Sequence, residues 1–148
     1  MNAILVDTNV LTYAHDRDAG LKQGQAIQTL RHLQLAGKGV LSAQCLSEFF
    51  SVTTRRKPSI LTVTEAAKQV QFLATAFLVF SVTPQIVLEA TRGVREHQLA
   101  YWDAQLWATA RLNQIPIIFS EDFNSGSSLE GVRFVNPFVP GFAVDDWA

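Results

Sequence analysis

Short apolar runs alternate along this chain with longer stretches in which apolar residues recur every three or four positions. That is the pattern of strands separated by amphipathic helices. Ile4-Leu5-Val6 leads directly into Asp7, which reads as a buried strand with a polar stop. Val10 to His15 predicts a short helix capped by Thr8 or Asn9, and Asp16 to Gly20 a polar loop. From Leu21 to Ala36, Ala26, Ile27, Leu30, Leu33 and Leu35 fall at mostly helical spacing, with Gly37 and Gly39 closing the helix. Val40-Leu41 follows as a short strand. Ser42 caps a helix through Arg56 that Pro58 does not allow to continue.

Thr62-Val63-Thr64-Glu65 has the spacing of a capping box and predicts a helix to about Thr75. Phe77 to Val82 reads as a strand, and Thr83-Pro84 starts a helix to about Arg95. Tyr101 to Asn113 predicts another helix, Pro116 to Phe119 a strand, Ser120 to Gly131 a loop and Val132 to Val135 a last strand. A tail from Pro137 to Ala148 has no assigned role. Strands alternate with helices and no hairpin is evident. The expected fold is a three-layer α/β/α sandwich around a central, mainly parallel sheet.

Composition narrows the class. The 148 residues suit a single domain with a substantial core, and 48% apolar residues are too many for a disordered chain. No apolar run reaches the ~18 residues of a membrane span, and the N-terminus lacks the pattern of a secretory leader. Cys45 is the only cysteine, which excludes an internal disulfide framework and a thiolate zinc cluster. A cytoplasmic setting is the expectation. Net charge is −1, which at face value argues against a nucleic-acid partner; setting aside four carboxylates as metal ligands leaves the rest of the chain at +3.

Four acids carry the candidate chemistry. Asp7 ends the first strand, where ligands of open α/β sheets bind. Asp103 falls near the middle of a helix face shared by Leu99, Leu106, Trp107 and Ala110, where a charge must be paired, protonated or metal-bound. Glu48 lies beside the apolar face of its helix, which a solvated residue would also do. Asp122 follows the strand ending at Phe119, in a place that a capping or turn role also explains. Glu121 is read as solvated. Hard oxygen ligands of this kind suit Mg²⁺, with Mn²⁺ able to substitute, rather than zinc. Such ions bind phosphate oxygens and assist in-line displacement. No Gly-rich phosphate loop is present, and His15, His32 and His97 show no close pairing.

Val6-Asp7-Thr8-Asn9-Val10-Leu11, Leu46-Ser47-Glu48-Phe49, Tyr101 to Ala110 and Phe119-Ser120-Glu121-Asp122-Phe123 resemble, in order and spacing, the successive motifs of PIN-domain proteins. The likeness runs from residue 3 to about 136, and the compact size most resembles the VapC-type toxins of type II toxin–antitoxin pairs. It implies a Mg²⁺-dependent endoribonuclease that leaves 5′-phosphate and 3′-hydroxyl ends, commonly assembled as a homodimer and held by a cognate antitoxin. Asp7, Glu48, Asp103 and Asp122 match the family's acidic positions. Asp7 and Asp103 are then direct ligands, with Glu48 and Asp122 completing the cluster, orienting waters or holding a second ion. Thr8, Asn9 and Ser120 fit the supporting polar positions.

A ribonuclease also needs a path for the RNA backbone. Arg55-Arg56-Lys57 is the densest basic run; it either complements a helix C-terminus or contacts RNA. Arg92 and Arg95 form a second candidate patch. Phe49-Phe50, Phe72, Phe77 and Phe80 either pack in the core or leave an apolar surface for a dimer or an antitoxin helix. An antitoxin could also block the site with a basic side chain. Two other functions remain open: a housekeeping RNA nuclease with the same domain, and a non-catalytic module with a structural ion site. A phosphoryl-accepting receiver domain would want a Lys at a late strand end, which is missing here.

Overall fold

The computed structural model describes residues 2–147. In chain order these form β1 (Ile4–Val6), α1 (Thr8–Tyr13), α2 (Leu21–Ala36), β2 (Gly39–Ser42), α3 (Ala43–Arg55) and α4 (Val63–Ala76). Then come β3 (Leu78–Phe80), α5 (Pro84–His97), α6 (Tyr101–Leu112), β4 (Ile117–Phe119), β5 (Ser128–Leu129) and β6 (Val132–Val135). Single 3₁₀ turns occur at Arg17–Ala19 and Val144–Asp146.

Local chemistry sets most of these boundaries. The Ser42 hydroxyl accepts from Gln44 N at 3.1 Å, Thr83 Oγ1 accepts from Ile86 N at 3.2 Å, and Thr62 and Glu65 exchange reciprocal capping bonds. Gly37 closes α2 in the left-handed region that favours glycine. Gly39 does something else: it belongs to β2, where a Cβ would lie 2.9 Å from Phe77 Cε1 and 3.1 Å from Leu33 Cβ. Its role is close packing rather than helix termination.

The six strands form one sheet in the order β3-β2-β1-β4-β6-β5. All neighbouring pairs are parallel except β5 with β6. That last pair is the hairpin the sequence did not reveal, hidden in the expected loop from Ser120 to Gly131. Its turn residues Glu130 and Gly131 both have positive φ, as a tight two-residue hairpin requires. Glu-Gly is a poor signature for such a turn. Trp107 Nε1 donates to Leu129 O at 3.1 Å and ties the hairpin to α6.

The chain steps from β1 outward to β2 and β3, then returns past β1 to β4. Right-handed crossovers put helices made before and after such a reversal on opposite faces. Accordingly α1 packs against α2 and α3, α3 against α4, and α5 against α6, which also covers β4 and β6. The result is a three-layer α/β/α fold. Val6 is in register with Phe119, so the residues following β1 and β4 emerge side by side where the strand order reverses.

The tail is part of this packing. Phe142 and Trp147 meet the Phe119 ring edge-on at 5.5 and 5.9 Å, and His32 bonds Asp145 at 2.7 Å. Of the phenylalanines in question, Phe49 and Phe77 are buried, Phe50 and Phe80 half-buried, and Phe72 is 52% exposed.

Candidate active site

Asp7 directly follows β1 and is the cap of α1. Its Oδ1 accepts from Thr8 N at 2.7 Å, so the N-cap is Asp7 rather than Thr8 or Asn9. Its Oδ2 accepts from Ser120 Oγ at 2.7 Å, a contact made possible by the Val6–Phe119 register. Ser120 Oγ in turn accepts from Asp122 N at 3.0 Å. Asn9 Nδ2 lies 3.2 Å from Ser120 Oγ, 3.3 Å from Asp122 Oδ2 and 3.5 Å from Asp7 Oδ2. One amide and one hydroxyl thus bridge the ends of β1 and β4.

Glu48 arrives from α3. Thr8 Oγ1 donates to its Oε1 at 3.5 Å and Gln44 Nε2 at 2.9 Å. Gln44 Nε2 also donates to Trp102 O at 3.0 Å, and Gln44 Oε1 accepts from Gln105 Nε2 at 2.9 Å. Tyr101 OH donates to Gln105 Oε1 at 2.9 Å and completes the chain. None of Gln44, Gln105 and Tyr101 stood out in the sequence. Two signals were available: Gln44 precedes Glu48 by one helical turn, and Gln105 interrupts an otherwise apolar run.

Asp103 sits in the first turn of α6. The expected apolar face is a misreading of this helix, because Ala104 to Ala110 are buried all round. Asp103 is half-buried and stands where the helix reaches the site. Glu121 is also corrected: it is held by Tyr13 OH at 2.6 Å and Lys22 Nζ at 2.9 Å, not solvated.

The acids share one electrostatic field. Burial raises the Asp7 carboxyl to about 7, against the bonds from Ser120 and Thr8 that lower it, and the charges of Asp122 and Glu48 raise it further. Asp103 is raised by burial first, then by Asp122 and Glu48. Among the described residues no three His, Cys, Asp or Glu side chains form a closed ligand set. The donor chemistry nevertheless fits a hard divalent cation: four carboxylates to which, among the described residues, no cationic side chain is bonded. Asn9 Oδ1 is a fifth oxygen, buried there without a hydrogen-bond partner. Cys45 is buried beneath the cluster, and burial pushes its thiol up, out of the reactive range.

The basic residues divide. Arg56 pairs with Asp16 at 3.2 Å. Arg92 bonds Glu89, Glu96 and Glu130, tying α5 to the hairpin turn, and these bonds compete with the backbone contact expected of it. Arg95 is exposed and 3.6 Å from Glu96. Arg55 and Lys57 are exposed and make no ion pair among the described residues.

A family model for the PIN domain matches residues 4–124, which contain all four acids. This chain belongs to the PIN-domain family. Among solved structures it resembles the VapC20 toxin of Mycobacterium tuberculosis, described as cleaving the sarcin–ricin loop, at 20% identity and a TM-score of 0.67, over 86% of this chain and 98% of that one. It also resembles a toxin–antitoxin complex from Klebsiella pneumoniae at 19% identity and a TM-score of 0.65, over 92% of this chain and 98% of that one. A third is a DNA-bound VapBC complex from Salmonella typhimurium, at 11% identity and a TM-score of 0.67, over 93% and 99%. At these identities the likeness is one of fold. No curated protein matches the chain at a significant level. Among the described residues, no helix is long and apolar enough to cross a membrane.

Proposed function

We propose that this PIN-domain protein is a divalent-metal-dependent endoribonuclease and the toxin of a type II toxin–antitoxin pair. The observation that carries the proposal is that Asp7 and Asp103 each lie within the field of Glu48 and Asp122, four acids from four separate segments, at the switch point of the sheet. The fold likeness to toxins crystallised with antitoxins supports the biological role.

Asp7 and Asp103 would hold Mg²⁺ or Mn²⁺ directly, with Glu48 and Asp122 beside them. The bound ion supplies positive charge and Lewis acidity at the scissile phosphodiester. The chain's own residues do the positioning. Ser120 and Thr8 fix both oxygens of Asp7, Asn9 spans Asp7 and Asp122, and Gln44 fixes Glu48. Cleavable RNA is expected to be a loop or single strand, in which the backbone can enter a cleft. A homodimer and an antitoxin that covers the site belong to the same proposal.

The test is cleavage of RNA by the purified protein with Mg²⁺, with Mn²⁺ and after chelation. Cleavage that needs the ion, and that stops when the product of a neighbouring reading frame is added, supports both halves. Ion-dependent cleavage without any inhibitory partner favours a housekeeping nuclease. Ion binding with no cleavage of any RNA favours a non-catalytic module.

A further inference from the structure

The first turn of α6 separates two cavities. One, of about 480 Å³, is lined by Asp103 and Asp122 together with Glu96 and His97. The other, of about 720 Å³, is lined by Glu48, Ser47, Ser51, Arg55, Val82 and Trp102, among others. The acid cluster therefore has an opening on each side. A strand crossing this turn would place one phosphodiester at the acids and a neighbouring nucleotide in one of the cavities.

The two openings differ in charge. The first adds Glu96 to two acids of the cluster, the wrong sign for a further phosphate. The second ends in Arg55, which makes no ion pair among the described residues. Glu48, Ser51 and Arg55 follow one another at three- and four-residue spacing, so they line one face of α3. Seven residues put Arg55 about 10 Å along the helix from Glu48. Phosphate affinity thus lies at the end away from the acids.

Trp102 lines the second cavity together with Glu48 and Arg55. It is 62% exposed, an unusual position for a large apolar ring. The Tyr101 ring meets the indole edge-on at 5.0 Å, and Gln44 Nε2 donates to the main-chain carbonyl of Trp102 at 3.0 Å, which holds the backbone that carries it. An exposed indole one residue from a cluster acid, with an arginine lining the same cavity, has the composition of a site for one unpaired nucleotide.

We propose that Trp102 and Arg55 form a subsite for the nucleotide next to the cleaved phosphate, with Trp102 stacking on the base and Arg55 holding its far phosphate. This rests on the ribonuclease assignment above. Stacking tolerates any base, so the subsite selects single-stranded character rather than sequence.

The test is steady-state cleavage of a single-stranded RNA oligonucleotide in Mg²⁺, with each nucleotide near the cut made abasic in turn. Trp102→Ala is expected to raise KM about tenfold to a hundredfold with little change in kcat, and Trp102→Phe to restore most of it. One abasic position should harm the wild type alike and add nothing in Trp102→Ala. Arg55→Ala should lower the salt dependence of KM by roughly one phosphate contact. Wild-type KM in Trp102→Ala, while Asp103→Asn is inactive, overturns the subsite and leaves the nuclease intact. So does a Trp102→Ala protein that cleaves normally but loses a dimer or protein partner by sedimentation, which makes this face a protein interface. A wild-type protein that cleaves no RNA removes the nuclease assignment itself, and the subsite with it.

Discussion

Gln105 on α6 donates to Gln44 on α3 at 2.9 Å, a bond between helices from the two layers on either side of the sheet. Gln44 passes the constraint to Glu48. The orientation of one acid of the cluster therefore depends on a residue of the helix that carries another.

Removing the middle of this chain leaves a buried donor unpaired. Gln44→Ala is expected to lose about 1–3 kcal/mol of stability, the usual cost of an orphaned buried polar group, and to lower kcat more than it raises KM. Thermal unfolding and single-turnover kinetics measure the two effects. Loss of stability at unchanged kcat would show that Glu48 needs no orientation.

Asp7 links pH to stability. Its carboxyl is raised from 3.8 to about 7 in the folded protein, so the native state holds its proton longer than the unfolded chain. Stability from this group is complete below pH 4 and is lost as pH rises through about 7, by up to ~4 kcal/mol in the absence of metal. Asp7→Asn should remove that slope and be more stable than the wild type at pH 8 in chelator. Mg²⁺ should stabilise the wild type at pH 8 and the variant far less. Denaturant titrations at pH 5 and pH 8 check each statement.

Ser120 works against the rise in Asp7. Its hydroxyl donates to the carboxylate and thereby lowers the carboxyl from where burial alone would put it. Ser120→Ala should shift the acidic limb of the pH–rate profile to higher pH and weaken Mg²⁺ binding. A limb that stays in place would mean that Asp7 does not titrate in the active protein.

Tyr13 and Lys22 anchor the segment that carries Asp122, through Glu121. Tyr13→Phe removes a 2.6 Å bond and is expected to cost about 1 kcal/mol, with faster amide exchange from Ser120 to Phe123. Exchange confined to other segments would refute the anchor.

Much of this was legible in the sequence, and for physical reasons. Short apolar runs, a 3.6-residue period and strong caps at Ser42, Thr62 and Thr83 mark the elements, because those signals are local. The acids Asp7 and Asp122 stand out because they follow strands that end abruptly. What did not show depends on three dimensions. The β5–β6 hairpin uses Glu130 at positive φ without an Asn-Gly signature. Residues Ala104 to Ala110 of α6 are buried all round, which erases the amphipathic face on which Asp103 was first placed. Arg92 looked like a free cation until its three glutamates, two of them near it in sequence and one 38 residues away, were seen to surround it. Gln44 and Gln105 are 61 residues apart, and no local pattern joins them.

The most direct measurement is RNA cleavage in Mg²⁺ by Asp103→Asn, a change that keeps side-chain size and removes only the charge. With unchanged circular dichroism and thermal unfolding no lower than the wild type, cleavage should fall by at least about a hundredfold, the order of ~3 kcal/mol in the barrier. Cleavage at the wild-type rate would contradict the assignment of this acid cluster as the catalytic site.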